Sequence, residues 1–159
     1  NALKELEQFK GYKFATERSQ HLMSLGIPLN TDSTLKGQTV FLAERCGELM
    51  YDNIITDRTI LDVMAFTMNA KSIPYQDKEA FETYASEFIR EYDHIFYISP
   101  HGLEIEDNGI RETDEHYRDL IDFTITTLIK RHGHKAGKIN KLSGSTEERI
   151  LQMLHFLQS

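Results

Sequence analysis

Tyr51-Asp52-Asn53-Ile54-Ile55-Thr56-Asp57-Arg58-Thr59-Ile60-Leu61-Asp62 is the stretch on which the fold of this chain turns. The adjacent isoleucines Ile54 and Ile55 mark Asn53 to Thr56 as a short buried strand. Asp57 and Arg58 end the apolar run, and Thr59 opens a helix that reaches about Ala70. A strand that ends in an acid and an arginine and passes directly into a helix suits a parallel α/β sheet, whose ligands sit at the carboxyl ends of the strands.

The same alternation extends in both directions. Upstream, the spacing predicts the end of a helix over residues 1–9, with Leu3 and Leu6 on one face and Gly11 as its stop. A strand over 12–16 follows. Thr31, Asp32 and Ser33 are N-cap candidates for a helix that runs to about Met50, with Leu42, Cys46 and Leu49 on one face. Downstream, Phe81, Tyr84, Ala85 and Phe88 recur at helical spacing within 76–92. His94 to Ser99 is the clearest strand, stopped by Pro100 and Gly102. After an acidic irregular stretch, a helix is predicted from about Asp114 to Arg131, with Tyr117, Ile121, Ile125 and Leu128 inward. A last strand spans Lys138 to Leu142, and Ser145 with Glu148 forms a capping box for a terminal helix lined by Ile150, Leu154 and Leu157. The predicted class is α/β, a parallel sheet with helices on both faces.

Composition sets bounds. Of 159 residues, 40% are hydrophobic and 27% charged, ordinary for a globular domain. No run approaches the roughly 20 apolar residues that span a bilayer, so no membrane partner is expected. The single cysteine, Cys46, has no internal disulfide partner and reads as a buried core residue, which fits a reducing, cytoplasmic setting. A net charge of −7 argues against a general duplex-DNA binder. Lys130, Arg131, His132, His134, Lys135, Lys138 and Lys141 nevertheless cluster, and two readings stand: a patch facing phosphate, or a solvated basic loop. The histidines show no zinc-ligand spacing, and no Gly-x-Ser-x-Gly nucleophile elbow occurs.

Polar groups follow each predicted strand: Glu17 and Arg18, Asp57 and Arg58, Ser99 to His101, and Ser143, Gly144, Ser145 and Thr146. An aspartate at the end of a buried strand can orient hydrated Mg²⁺ or accept a proton from an attacking hydroxyl. An arginine beside it can hold a phosphate or carboxylate in its planar fork. Helix capping and surface ion pairing explain the same residues without any ligand.

Here the chain resembles P-loop nucleoside and nucleotide kinases, most of all the AAA-type domain related to ribosylnicotinamide kinase that is common in phage genomes. The run Tyr51 to Asp62 looks like that family's aspartate–arginine strand end, and Tyr92 to Ser99 like its next core strand. Asp107 to Arg118 looks like its lid, placed here at 101–112, where arginines close over the donor phosphates; Leu142 to Arg149 looks like the loop beside the adenine ring. The resemblance implies a single domain over 1–159 of the three-layer sandwich type. One departure stands out. The family's phosphate-binding loop ends in Gly-Lys-Ser/Thr, and no such run occurs in residues 1–159. The expectation is that a central strand and this loop lie upstream, within on the order of 10–20 residues.

What the resemblance implies is ATP- and Mg²⁺-dependent phosphoryl transfer to a hydroxyl or phosphate of a nucleoside, a nucleotide or a modified base within nucleic acid. Asp57 would assist the metal or act as base. Arg58, Glu17 and Arg18 would hold the acceptor. Arg111 and Arg118 would spread charge on the transferring group, and Ser143, Gly144, Ser145 and Thr146 would border the adenine. A homodimer is compatible with this reading. The alternative is a non-catalytic or regulatory module that binds ATP or hydrolyses it slowly.

Overall fold

The computed structural model describes residues 2–15, 19–28, 30–100 and 115–159. The elements in chain order are β1 (Lys13–Ala15), α1 (Ser19–Ser24), α2 (Leu35–Glu48), β2 (Ile54–Thr56), α3 (Ile60–Met68), α4 (Tyr75–Ser86), β3 (His94–Ile98), α5 (Glu115–His132), β4 (Lys138–Leu142) and α6 (Thr146–Gln158).

α3 forms where the sequence places it because its first turn is closed by side chains. The Thr59 hydroxyl accepts from the Leu61 N–H at 3.1 Å, and the Asp62 carboxylate accepts from the Thr59 N–H at 2.7 Å. The next donor, the Ile60 N–H, goes to the Tyr92 hydroxyl at 3.1 Å. Together they satisfy backbone donors that the start of a helix leaves open. α3 is the centre of the core: Ile60, Leu61, Val63, Met64 and Ala65 are buried and meet Leu42 of α2, Phe81 and Ala85 of α4, and Tyr117, Ile121 and Leu128 of α5. Full burial of side chains this size contributes about 1.5–3 kcal/mol each, which makes α3 the main stabilising element.

Every strand pair is parallel, but the described strands form two separate pairs, β1 with β2 and β3 with β4, where one sheet was expected. Ala15 stands opposite Thr56, and His94 through Ile98 stand opposite Lys138 through Leu142. Gly137 sets the second pair. Its N–H donates to the Tyr92 carbonyl at 2.9 Å, and a Cβ there would lie 2.3 Å from the Asp93 carbonyl oxygen, so only glycine admits this approach. α6, which follows β4, fully buries none of its residues.

Several local expectations change. Residues 2–9 form two 3-10 turns, Ala2–Glu5 and Glu7–Phe9, rather than the end of an α-helix, because Leu6 between them is extended at φ −84°, ψ 133°. The cap of α2 is Thr34, whose hydroxyl accepts from the Gly37 N–H at 3.0 Å; Asn30–Asp32 is a 3-10 turn. The helix predicted over 76–92 is α4 followed by a 3-10 segment, Glu87–Glu91. On α4, Phe81 and Ala85 are buried while Tyr84 is 63% exposed. Cys46 is half-buried against the core rather than within it. No described helix is long and apolar enough to cross a membrane.

Candidate functional site

The carboxyl ends of β1 and β2 lie level with each other, and the pairing continues one step further, the Asp57 N–H donating to the Ala15 carbonyl at 2.9 Å. This fixes the backbone of Asp57 as an extension of the sheet. Its side chain is exposed, and among the described residues its carboxylate makes no hydrogen bond or ion pair. An Mg²⁺ ion takes one or two carboxylate oxygens together with phosphate oxygens and water, and a carboxylate so placed fits as one of these ligands.

Arg58 departs from ordinary backbone geometry. It is the one non-glycine residue with positive φ among the described residues, at 82°. For a side chain with a Cβ this region costs about 1–2 kcal/mol. Two neighbours hold it there. The Thr56 hydroxyl donates to the Arg58 carbonyl at 2.8 Å, and the Thr59–Asp62 capping box fixes the next residue. The guanidinium lies over the Phe66 ring, 5.6 Å from its centroid. Phe66 also meets Tyr117, with ring centroids 6.4 Å apart. Arg58 therefore converges with the first turn of α5, which carries Arg118, through one aromatic neighbour. Arg118 is half-buried, with its Nε 4.0 Å from a carboxylate oxygen of Asp119.

The fourth strand end is a self-contained turn. Gly144 takes φ 90°, which glycine tolerates. The Ser145 hydroxyl accepts from the Glu148 N–H at 3.1 Å, and Glu148 accepts from the Ser145 N–H at 3.3 Å. Gln152, one and a half turns further along α6, reaches back to Ser143 with both ends of its amide. Its oxygen accepts from the Ser143 N–H at 3.1 Å, and its NH₂ donates to the Ser143 carbonyl at 2.9 Å. Arg149 donates to the Ser145 carbonyl and the Thr146 hydroxyl. Among the described residues, no hydrogen bond, ion pair or ring contact joins this turn to Asp57 or Arg58. Gln152 was not among the residues singled out from the sequence.

Glu17, Arg18 and Arg111 lie outside the described residues, and so does the whole lid assigned to 101–112.

Three members of the basic cluster meet α4 and the 3-10 segment that follows it. Arg131 donates to both oxygens of Glu82 at 2.8 Å, and the His132 ring nitrogen lies 2.8 Å from the same carboxylate. Burial works to raise the Glu82 carboxyl, but the hydrogen bonds and positive charge of Arg131 and His132 outweigh it and hold the group below its ordinary range. Lys135 meets Ser86 and Glu87. These contacts make the cluster a strap between α5 and α4. Burial pushes the Cys46 thiol up, which keeps it protonated and poorly nucleophilic. Among the described residues, no group of three His, Cys, Asp or Glu side chains could hold a metal ion.

Parallel strand pairs, helices following strands, and an acid–arginine pair held at a strand end define a mixed α/β domain compatible with the P-loop type. A family model described as an AAA domain matches residues 1–149, and the chain belongs to that family, a class of nucleotide-binding NTPase domains. No curated protein and no solved structure matches the chain.

Proposed function

We propose that this domain transfers a phosphoryl group from ATP to a hydroxyl or phosphate of a nucleoside, a nucleotide or a modified base in nucleic acid. The observation that carries the reading is Arg58, an arginine kept at φ 82° beside an exposed Asp57 whose carboxylate meets no partner among the described residues. Strain of this kind persists where the surrounding structure imposes it, and it concentrates at sites that act on a ligand. In this role Asp57 accepts the proton of the acceptor hydroxyl, and Arg58 donates to an acceptor oxygen; Glu17 and Arg18 are assigned to the same acceptor. Arg111 and Arg118 donate to oxygens of the transferring group. Mg²⁺, when bound, would neutralise phosphate charge; Asp57 assisting the metal is the alternative to its role as base.

The donor phosphates need backbone N–H groups and a lysine that residues 1–159 do not present as a Gly-Lys-Ser/Thr run. In the sheet order that the resemblance implies, a further parallel strand, followed by the phosphate-binding loop, lies between β2 and β3 and joins the two strand pairs. A regulatory module that binds ATP without transferring phosphate is the second reading. The closed hydrogen bonding at the start of α3, where the Ile60, Leu61 and Asp62 N–H groups all have partners, favours it.

Arg58→Gly tests the first reading. Glycine takes this φ without the Cβ penalty of about 1–2 kcal/mol. The lost contact with Phe66 is worth about 0.5–1 kcal/mol. The intact variant should keep wild-type stability within about 1 kcal/mol. Its transfer of phosphate from ATP, assayed across nucleosides, nucleotides and DNA with a hydroxylated base, should fall about tenfold, as loss of a charged hydrogen bond implies. Wild-type transfer by a folded variant would remove Arg58 from the site.

A further inference from the structure

The turn after β4 presents one backbone edge with a donor and an acceptor side by side, the N–H and C=O of Ser143. Gln152 fills both. Its amide orientation is fixed by these partners, because reversing it would set N–H against N–H and oxygen against oxygen. The Watson–Crick edge of adenine carries the same pair of groups as a carboxamide, an acceptor at N1 beside a donor at the 6-amino group. Guanine carries them reversed, with an acceptor at O6 and a donor at N1. For a base presented with one fixed face, as a nucleotide anchored by its phosphates would be, the Ser143 edge complements adenine and opposes guanine, and Gln152 occupies it with a side chain that has adenine's hydrogen-bonding pattern.

We propose that Gln152 is an internal competitor for the adenine-reading edge of Ser143, displaced when an adenine nucleotide binds. This rests on the assignment of Ser143 to Thr146 as the border of the base site. The rest of the turn is tied down independently of Gln152. Ser145 and Glu148 cap α6, and Arg149 holds the Ser145 carbonyl and the Thr146 hydroxyl. Removing the Gln152 amide therefore frees the Ser143 edge while the α6 cap remains. Free Ser143 groups would be hydrated, so the competitor's effect on affinity is modest, of the size of one or two net hydrogen bonds.

The test uses the intact protein with Mg–ADP and Mg–GDP, binding measured by calorimetry, for wild type and Gln152→Met. Methionine keeps the length and apolar stem of glutamine without its donor and acceptor. The expected result is that ADP binds about three- to tenfold more tightly to the variant while GDP affinity stays at the wild-type value, and that the free variant unfolds at a slightly lower midpoint because it lacks the two Ser143 contacts. Unchanged ADP affinity, weaker ADP binding, or equal tightening of both nucleotides would overturn the competitor role. A wild-type protein that binds neither nucleotide would overturn the nucleotide-site reading together with it. A wild type that binds ADP alongside a variant that does not differ sinks the inference alone.

Discussion

Asp57→Asn in the intact protein should leave folding unchanged and lower phosphoryl transfer at least tenfold, about 1.4 kcal/mol of barrier. The fold should tolerate the change because the Asp57 side chain is exposed and bonds to nothing among the described residues; only its backbone N–H, which asparagine retains, joins the sheet. Catalysis should not tolerate it. An amide cannot take the acceptor's proton at neutral pH, and it is a poorer ligand for a hard cation. Loss of a positioned general base costs on the order of 10²–10⁴-fold, so an assay that resolves tenfold suffices. A folded variant with near wild-type turnover would remove Asp57 from the mechanism.

The second large effect concerns the fold. Glu48→Ala should destabilise the protein by about 3–5 kcal/mol. Arg45 and Glu48 pair along α2 with the guanidinium Nη1 2.9 Å from one carboxylate oxygen and 3.2 Å from the other. Their side chains are only 6% and 12% exposed. Removing the carboxylate leaves a guanidinium charge in the protein without this partner, which costs far more than a surface ion pair contributes. Replacing both residues by apolar ones of similar size, Arg45→Met with Glu48→Leu, should recover at least half of the loss, because no charge then remains to be solvated. Denaturant unfolding measures both variants. A loss below about 1 kcal/mol for the single variant would mean that Arg45 reaches water and that the pair is no more than a surface contact.

Most elements were legible because each rests on short-range signals. Ser145 with Glu148 announces a helix from two residues three apart, and that box forms; Thr59, read as a helix start, forms a box of its own with Asp62. The short strands with adjacent apolar residues also stand where the pattern places them. The misreadings have local causes. Leu3 and Leu6 are spaced for a 3-10 turn as well as for an α-helix. Four cap-type residues, Thr31 to Thr34, follow one another, and only the hydroxyl–amide distance selects Thr34. The stripe on α4 was read too wide, and Tyr84 lies at its wet edge.

The strand-end placement of the candidate residues Asp57, Arg58 and Ser143 was legible, since each follows a short strand. Three features carry no sequence signal. Arginine is not a residue that favours positive φ, so the strain at Arg58 appears only in the fold. Gln152 meets Ser143 nine residues away, through a turn of α6 that no capping rule covers. Glu82 meets Arg131 and His132 across about 50 residues, a pairing that depends on how α4 and α5 pack. Sheet order is non-local in the same way: nothing in the strand residues states that β2 and β3 do not pair.

Strand order is directly measurable. The direct measurement is the set of backbone amide contacts from β2 and β3 in the isotopically labelled intact protein, by nuclear Overhauser effects, with and without Mg–ADP. The expected result is that Ile54–Thr56 and His94–Ile98 each show cross-strand contacts to one and the same third strand, and that the resonances of the loop following that strand shift when Mg–ADP is added. Direct contacts between β2 and β3, with no strand between them, would contradict the sheet order and the phosphate site built on it.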